Sequence, residues 1–129
     1  MKAIVVDDSM VIRNIIEKSL APMGWEALHA ANGQLALELL DRHAGEVNLM
    51  LLDWNMPVLN GYDTIKAMKA RDDCRHICVV MVSTESEDDK IDQAIAAGAH
   101  GYLNKPFTEA EFAATVRKTF LRFKTGGGL

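Results

Sequence analysis

Val47-Asn48-Leu49-Met50-Leu51-Leu52-Asp53 is the stretch on which the fold turns. From Leu49 to Leu52 every position is apolar, and the run closes on a carboxylate. A strand with one wet face alternates apolar and polar side chains. A strand without that alternation has both faces covered, as in a parallel sheet flanked by helices. Ala3-Ile4-Val5-Val6, ending in Asp7-Asp8-Ser9, follows the same pattern, as does Ile77-Cys78-Val79-Val80-Met81-Val82, ending in Ser83-Thr84. Weaker strands are expected at Trp25 to Ala30 and at His100 to Asn104.

The intervals between these runs carry helical spacing. Val11, Ile12, Ile15, Ile16, Ser19 and Leu20 make one apolar face that should stop near Pro22 and Gly24. After a turn signal at Asn32-Gly33, Leu35, Leu37, Leu39 and Leu40 belong to a second helix ending near Gly45. Asn60-Gly61 leads into a third through Ile65 and Met68. Ile91, Ala94, Ile95 and Ala96 belong to a fourth, ended by Gly98. Thr108 and Glu111 stand at the spacing of a capping box, opening a last helix with Phe112, Val116, Phe120 and Phe123. A strand–helix unit repeated five times gives an α/β fold: a five-stranded parallel sheet with helices on both faces. One domain is expected over residues 1–124, with a disordered tail over 125–129.

Composition narrows the function. The 129 residues are 49% hydrophobic and 25% charged, in the range of ordinary globular domains and enough for one buried core. A net charge of -4 argues against direct nucleic-acid binding, which needs a basic face. The apolar runs are far shorter than the roughly 20 residues a membrane span requires, and strand-like sequence begins at Met1-Lys2-Ala3, so a cytoplasmic chain is expected. Cys74, His76 and Cys78 offer three metal ligands but no second cluster to close a zinc site. Cys78, opening an apolar run, reads as a small buried side chain.

Ligands of open parallel sheets bind beyond the carboxyl ends of the strands. Those ends carry Asp7 and Asp8 after the first strand, Asp53 after the third, Ser83 and Thr84 after the fourth, and Asn104-Lys105 after the fifth. The second strand ends in Ala30-Ala31 and adds nothing. Three carboxylates on one edge repel one another, and a hard divalent cation such as Mg²⁺ relieves that cost. A lysine and a hydroxyl beside the metal complete a cradle for a phosphoryl group. The glycine-rich nucleotide loops are absent, and an aspartate can accept phosphoryl directly.

These residues resemble the receiver domain of two-component response regulators, most closely the stand-alone chemotaxis regulator (CheY-like) type. The resemblance rests on Val5-Val6-Asp7-Asp8-Ser9, Leu51-Leu52-Asp53-Trp54-Asn55-Met56-Pro57, Asn60-Gly61, Met81-Val82-Ser83 and Gly101-Tyr102-Leu103-Asn104-Lys105-Pro106-Phe107. It implies a flavodoxin-like strand order 2-1-3-4-5. It also implies Asp53 as phosphoacceptor, and Mg²⁺ held by Asp8, Asp53 and the backbone carbonyl of Asn55, with Asp7 acting through a water. Ser83 and Lys105 then act on the phosphoryl group, Thr84 and Tyr102 stand at switch positions, and Asn55 and Glu85 tune the phosphoryl lifetime. A cis bond before Pro106 is implied as well. The implied partners are a sensor histidine kinase or histidine phosphotransfer protein, and a downstream protein at the face of helix four, strand five and helix five. Such a chain is a signalling phosphoacceptor and not a turnover enzyme.

Plainer readings exist for single residues. Asp7-Asp8 and Ser9 suit a helix start, Lys105 a solvated surface, Tyr102 a packed core, and Trp54 a surface position beside Asp53. Four rivals stand against the chemotaxis type. They are a phosphorelay or phosphate-sink receiver, a receiver cut from a larger transcription regulator, a haloacid dehalogenase-type phosphatase and a flavodoxin-like electron carrier. Asn55 stands where the phosphatase would have a second catalytic carboxylate.

Overall fold

The computed structural model describes residues 1–84 and 88–126. Five strands, β1 (Lys2–Val6), β2 (Glu26–Ala30), β3 (Val47–Leu52), β4 (Cys78–Ser83) and β5 (Gly101–Asn104), alternate with five helices. The helices are α1 (Met10–Leu20), α2 (Gly33–His43), α3 (Gly61–Lys69), α4 (Asp88–Ala97) and α5 (Glu109–Lys124). All strand pairs are parallel and the order is β2-β1-β3-β4-β5, as the sequence and the resemblance led one to expect.

The period of two along each strand divides the core. Ile4, Val6, Met50, Leu52, Val79 and Met81 point to one face, packed with Ala36, Leu40, Ile65, Met68 and Ala94 from α2, α3 and α4. Ala3, Val5, Leu49, Leu51, Val80 and Val82 point to the other, packed with Ile16, Leu20, Phe112 and Val116 from α1 and α5. Both faces are dry, which is why these strands show no polar alternation.

Helix ends follow their side-chain caps. Ser9, Asn32, Asn60 and Thr108 each accept a hydrogen bond from a backbone N–H of the helix they precede, and Thr108 with Glu111 forms the full capping box. The turn signal Asn32-Gly33 is thus the start of α2, with Asn32 as its cap. Gly24, in the left-handed region at φ 88°, closes the short 3-10 turn after α1.

Two expectations need correction. The apolar face of α1 is divided: Ile16 and Leu20 are buried, while Val11 is 66% and Ile15 46% exposed. Trp54 does not lie on the surface. It is buried, stacked on Tyr62 with ring centroids 5.6 Å apart, and the Lys90 ammonium sits 5.0 Å from its ring. Cys78 is fully buried in β4, and burial pushes its thiol up to about 12, far from the thiolate a metal would need. Thr125 closes α5 through its backbone N–H to the Leu121 carbonyl. Residues 127–129 of the expected tail lie outside the described residues. Among the described residues, no helix is long and apolar enough to cross a membrane.

Candidate functional site

The strand ladders run one residue past the strands and so bring the predicted residues together. Asp7 N–H donates to the Ala30 carbonyl at 3.1 Å, Asp53 N–H to Val6 at 2.9 Å, and Lys105 N–H to Ser83 at 2.9 Å. Each bond extends the parallel register, so Asp7, Asp53 and Lys105 emerge at neighbouring positions on the carboxyl edge. The Lys105-Pro106 bond is cis. The loop after β3 is held by Gly61 N–H on the Trp54 carbonyl at 2.9 Å. A side chain at Gly61 would collide with the Asp53 carbonyl, so only glycine lets α3 start this close to the site.

Carboxylate oxygens of Asp7, Asp8 and Asp53 lie within 4.8 Å of one another. Asp7 and Asp53 are buried, at 2% and 7% exposure, and Asp8 is exposed. Lys105 Nζ bridges the buried pair, 2.5 Å from Asp7 Oδ2 and 3.4 Å from Asp53 Oδ2. Asp53 Oδ1 accepts from the Trp54 N–H at 2.8 Å, and Asp7 Oδ1 from the Ser9 N–H at 2.9 Å. Desolvation pushes the Asp53 carboxyl above its ordinary range. The Lys105 ammonium opposes that shift and the Asp7 carboxylate reinforces it. Three oxygen-donor side chains with one bridging ammonium fit a hard divalent cation: the donors are all oxygen, and one side of the cluster is open through Asp8.

The other predicted residues surround this centre. Ser83, the last residue of β4, is fully buried, and Thr84 after it is exposed. Asn55 is exposed on the loop after β3. Tyr102 is half-buried, packed against the core cluster that includes Met81 and Ala94. Glu85 lies outside the described residues. A groove of about 370 Å³ beside the carboxylates is lined by Ile12, Ile15, Thr84, Lys105, Pro106 and Phe107. The exposed Ile15 thus has a place at the site's rim.

One contributor escaped the sequence reading. Arg13 donates from Nη1 to the Asp7 carbonyl at 2.6 Å and from Nε to His29 Nδ1 at 3.3 Å. The available signal was its position four residues after Ser9, one helical turn above the cap. Its partner His29 comes from β2, the strand that seemed to contribute nothing.

Comparison with known proteins agrees with this geometry. The family of response regulator receiver domains matches residues 3–117. The chemotaxis protein CheY of Pseudomonas aeruginosa is 37% identical over 123 residues, covering 95% of this chain and 98% of the relative. The chemotaxis protein CheY1 of Helicobacter pylori is 39% identical over 109 residues, covering 84% of this chain and 87% of the relative. The solved structure of the chemotaxis response regulator CheY4 of Vibrio cholerae superposes with a TM-score of 0.84 at 30% identity, covering 92% of this chain and 97% of that one. The chain belongs to the response regulator receiver domain family and is a two-component signalling protein.

Proposed function

We propose that residues 1–124 act as one receiver unit that takes a phosphoryl group from a phosphohistidine onto Asp53 and thereby changes its affinity for a protein partner. The observation that carries this reading is the Asp7–Lys105–Asp53 bridge on the carboxyl edge, with Asp8 completing the oxygen cluster. Asp53 Oδ1 is tied to the Trp54 N–H, which leaves Oδ2, the oxygen facing Lys105, as the nucleophile. Oδ2 attacks phosphorus, the phosphorus–nitrogen bond breaks, and the electron pair leaves with the histidine nitrogen. Asp7, Asp8, Asp53 and the Asn55 carbonyl are the groups that would hold Mg²⁺, with Asp7 acting through a water. When bound, the ion neutralises charge on the phosphoryl oxygens. The Lys105 ammonium does the same from the other side.

The groove bounded by Ile12, Ile15 and Phe107 offers an apolar surface for the donor beside the carboxylates. After transfer, the Ser83 hydroxyl draws its loop toward the new phosphoryl oxygens. Tyr102, packed between the core and the surface of α4, β5 and α5, then relays the change to the partner face. The relatives named for chemotaxis support a chemotaxis role; we read the chain as cytoplasmic, with hydrolysis tuned from Asn55 and Glu85. The turnover is single and the product is a signalling state.

The test is tryptophan fluorescence during titration with Mg²⁺ and then acetyl phosphate or beryllofluoride, wild type beside Asp53→Asn. Trp54 is the reporter, because its N–H holds Asp53 and its ring sits between Tyr62 and Lys90. Quenching that needs both metal and Asp53 is expected. An unaltered phosphoryl response in Asp53→Asn would refute the assignment. No response in a folded wild type would make the chain a constitutive binding module.

A further inference from the structure

The Asp7-Asp8 turn is gripped from outside the carboxylate cluster. The Asp7 N–H is fixed by the Ala30 carbonyl of β2 at 3.1 Å, and the Asp7 carbonyl by Arg13 Nη1 at 2.6 Å. The Asp7 carbonyl and the Asp8 N–H belong to one planar peptide group, so aiming that carbonyl sets the direction in which Asp8 leaves the strand. Arg13 is itself aimed. Its Nε donates to His29 Nδ1 at 3.3 Å, and His29 Nε2 lies 3.1 Å from Glu17 Oε1. Since Nδ1 accepts, the ring proton sits on Nε2 and is given to the carboxylate, and the guanidinium is left with one orientation. His29 pairs with Val5 across the β1–β2 ladder, so the chain of contacts is anchored in the sheet.

We propose that Arg13, oriented by His29, is a positioning residue for the metal ligands Asp7 and Asp8. This inference rests on the Mg²⁺ reading of the site given above. Among the described residues, Arg13 donates to no carboxylate side chain and meets the turn through the Asp7 backbone alone. Its effect is to hold the Asp7–Asp8 peptide plane so that two carboxylates converge with Asp53 without further ordering when the cation arrives. Two effects of Arg13 on Mg²⁺ have opposite sign. Its charge repels a cation, so deleting it would tighten binding if charge were its whole role. Its grip on the turn pre-orders the ligands, so deleting it weakens binding if positioning dominates. Losing a partner that orients metal ligands costs on the order of tenfold in affinity.

The experiment measures Mg²⁺ affinity by tryptophan fluorescence in the full chain for wild type, Arg13→Met, Arg13→Lys, His29→Leu and His29→Gln. Urea unfolding in EDTA confirms that each variant is folded. Arg13→Met should bind Mg²⁺ about tenfold more weakly, and Arg13→Lys, with the charge but not the fork, should fall between it and wild type. His29→Leu leaves every charged group near the metal in place and should still weaken binding, while His29→Gln, which keeps an acceptor for Nε, restores it. In the metal-free protein, ¹⁵N shifts of the His29 ring should report the Nε2–H tautomer in wild type and lose that preference in Arg13→Met. Unchanged or tighter Mg²⁺ binding in Arg13→Met, beside a wild type that binds, would overturn the positioning role and leave the reading of the site standing. A wild type that binds no Mg²⁺ would overturn both.

Discussion

Asp53 and Val58 are both held in states that cost the fold something. Asp53 is buried beside Asp7, and its carboxyl is raised above the ordinary range chiefly by desolvation. A raised folded-state pKa means that ionisation costs the folded chain more than the unfolded one. The stabilisation is therefore complete below the ordinary carboxylate range and is lost as pH rises through the raised value. In EDTA at pH 7, Asp53→Asn should consequently unfold at a higher urea concentration than wild type, and the gap should narrow toward pH 4. Equal midpoints at both pH values would show that Lys105 already compensates the charge. Val58, five residues on, is 79% exposed with φ at +70°, a left-handed conformation that β-branched side chains rarely adopt. Val58→Asn, which tolerates that region, should stabilise the chain by about 1 kcal/mol, read as a higher urea midpoint at unchanged slope. A lower midpoint would show that the valine makes a contact worth more than its strain.

At the level of elements, the caps and the strand ends set geometry that residue types alone leave open. Asn32-Gly33 and Asn60-Gly61 read alike, and both prove to be a capping side chain followed by a glycine that cannot carry a Cβ. At Gly33 the obstruction is Thr64 and the Leu59 carbonyl; at Gly61 it is the Asp53 carbonyl. The start of β5 offers a further case. The His100 N–H donates to the Val79 carbonyl at 2.8 Å, and its Nδ1 accepts from the Val79 N–H at 3.0 Å, so one residue satisfies both sides of the β4 backbone. Burial, reinforced by the Lys69 charge, lowers the ring to about 4. A depressed folded-state pKa gives stability that is present above the ordinary histidine value and lost as pH falls through the window from about 6.5 to about 4. The unfolding free energy from urea titrations should fall across that window by about 2 kcal/mol, allowing for the ring's partial exposure, and His100→Asn should flatten that dependence on pH. A slope unchanged in His100→Asn would assign the acid sensitivity to other groups.

For the whole molecule, the carboxylate cluster is a point at which folding and ligand binding are linked. A cation that binds only the folded chain should raise stability with its concentration, by about 2.7 kcal/mol at a hundredfold excess over its dissociation constant. Urea midpoints at graded Mg²⁺ should follow that dependence in wild type and weakly or not at all in Asp53→Asn; a wild-type midpoint indifferent to Mg²⁺ would contradict the metal assignment. Patterns local to the chain set the layers and the edge on which the chemistry lies. Strands buried on both faces must be apolar throughout, and a parallel sheet sends every strand's carboxyl end to one side, so Asp7, Asp8, Asp53, Ser83 and Lys105 had to meet there. Contacts across the fold decide that Lys105 bridges Asp7 and Asp53, that Trp54 is buried under Lys90 and against Tyr62, that Val11 and Ile15 stay exposed on α1, and that Arg13 of α1, held by His29 of β2, reaches the Asp7 carbonyl. Local periodicity says which face of an element is apolar. Which side chain of another element covers it depends on contacts between residues distant along the chain, and no local pattern encodes them.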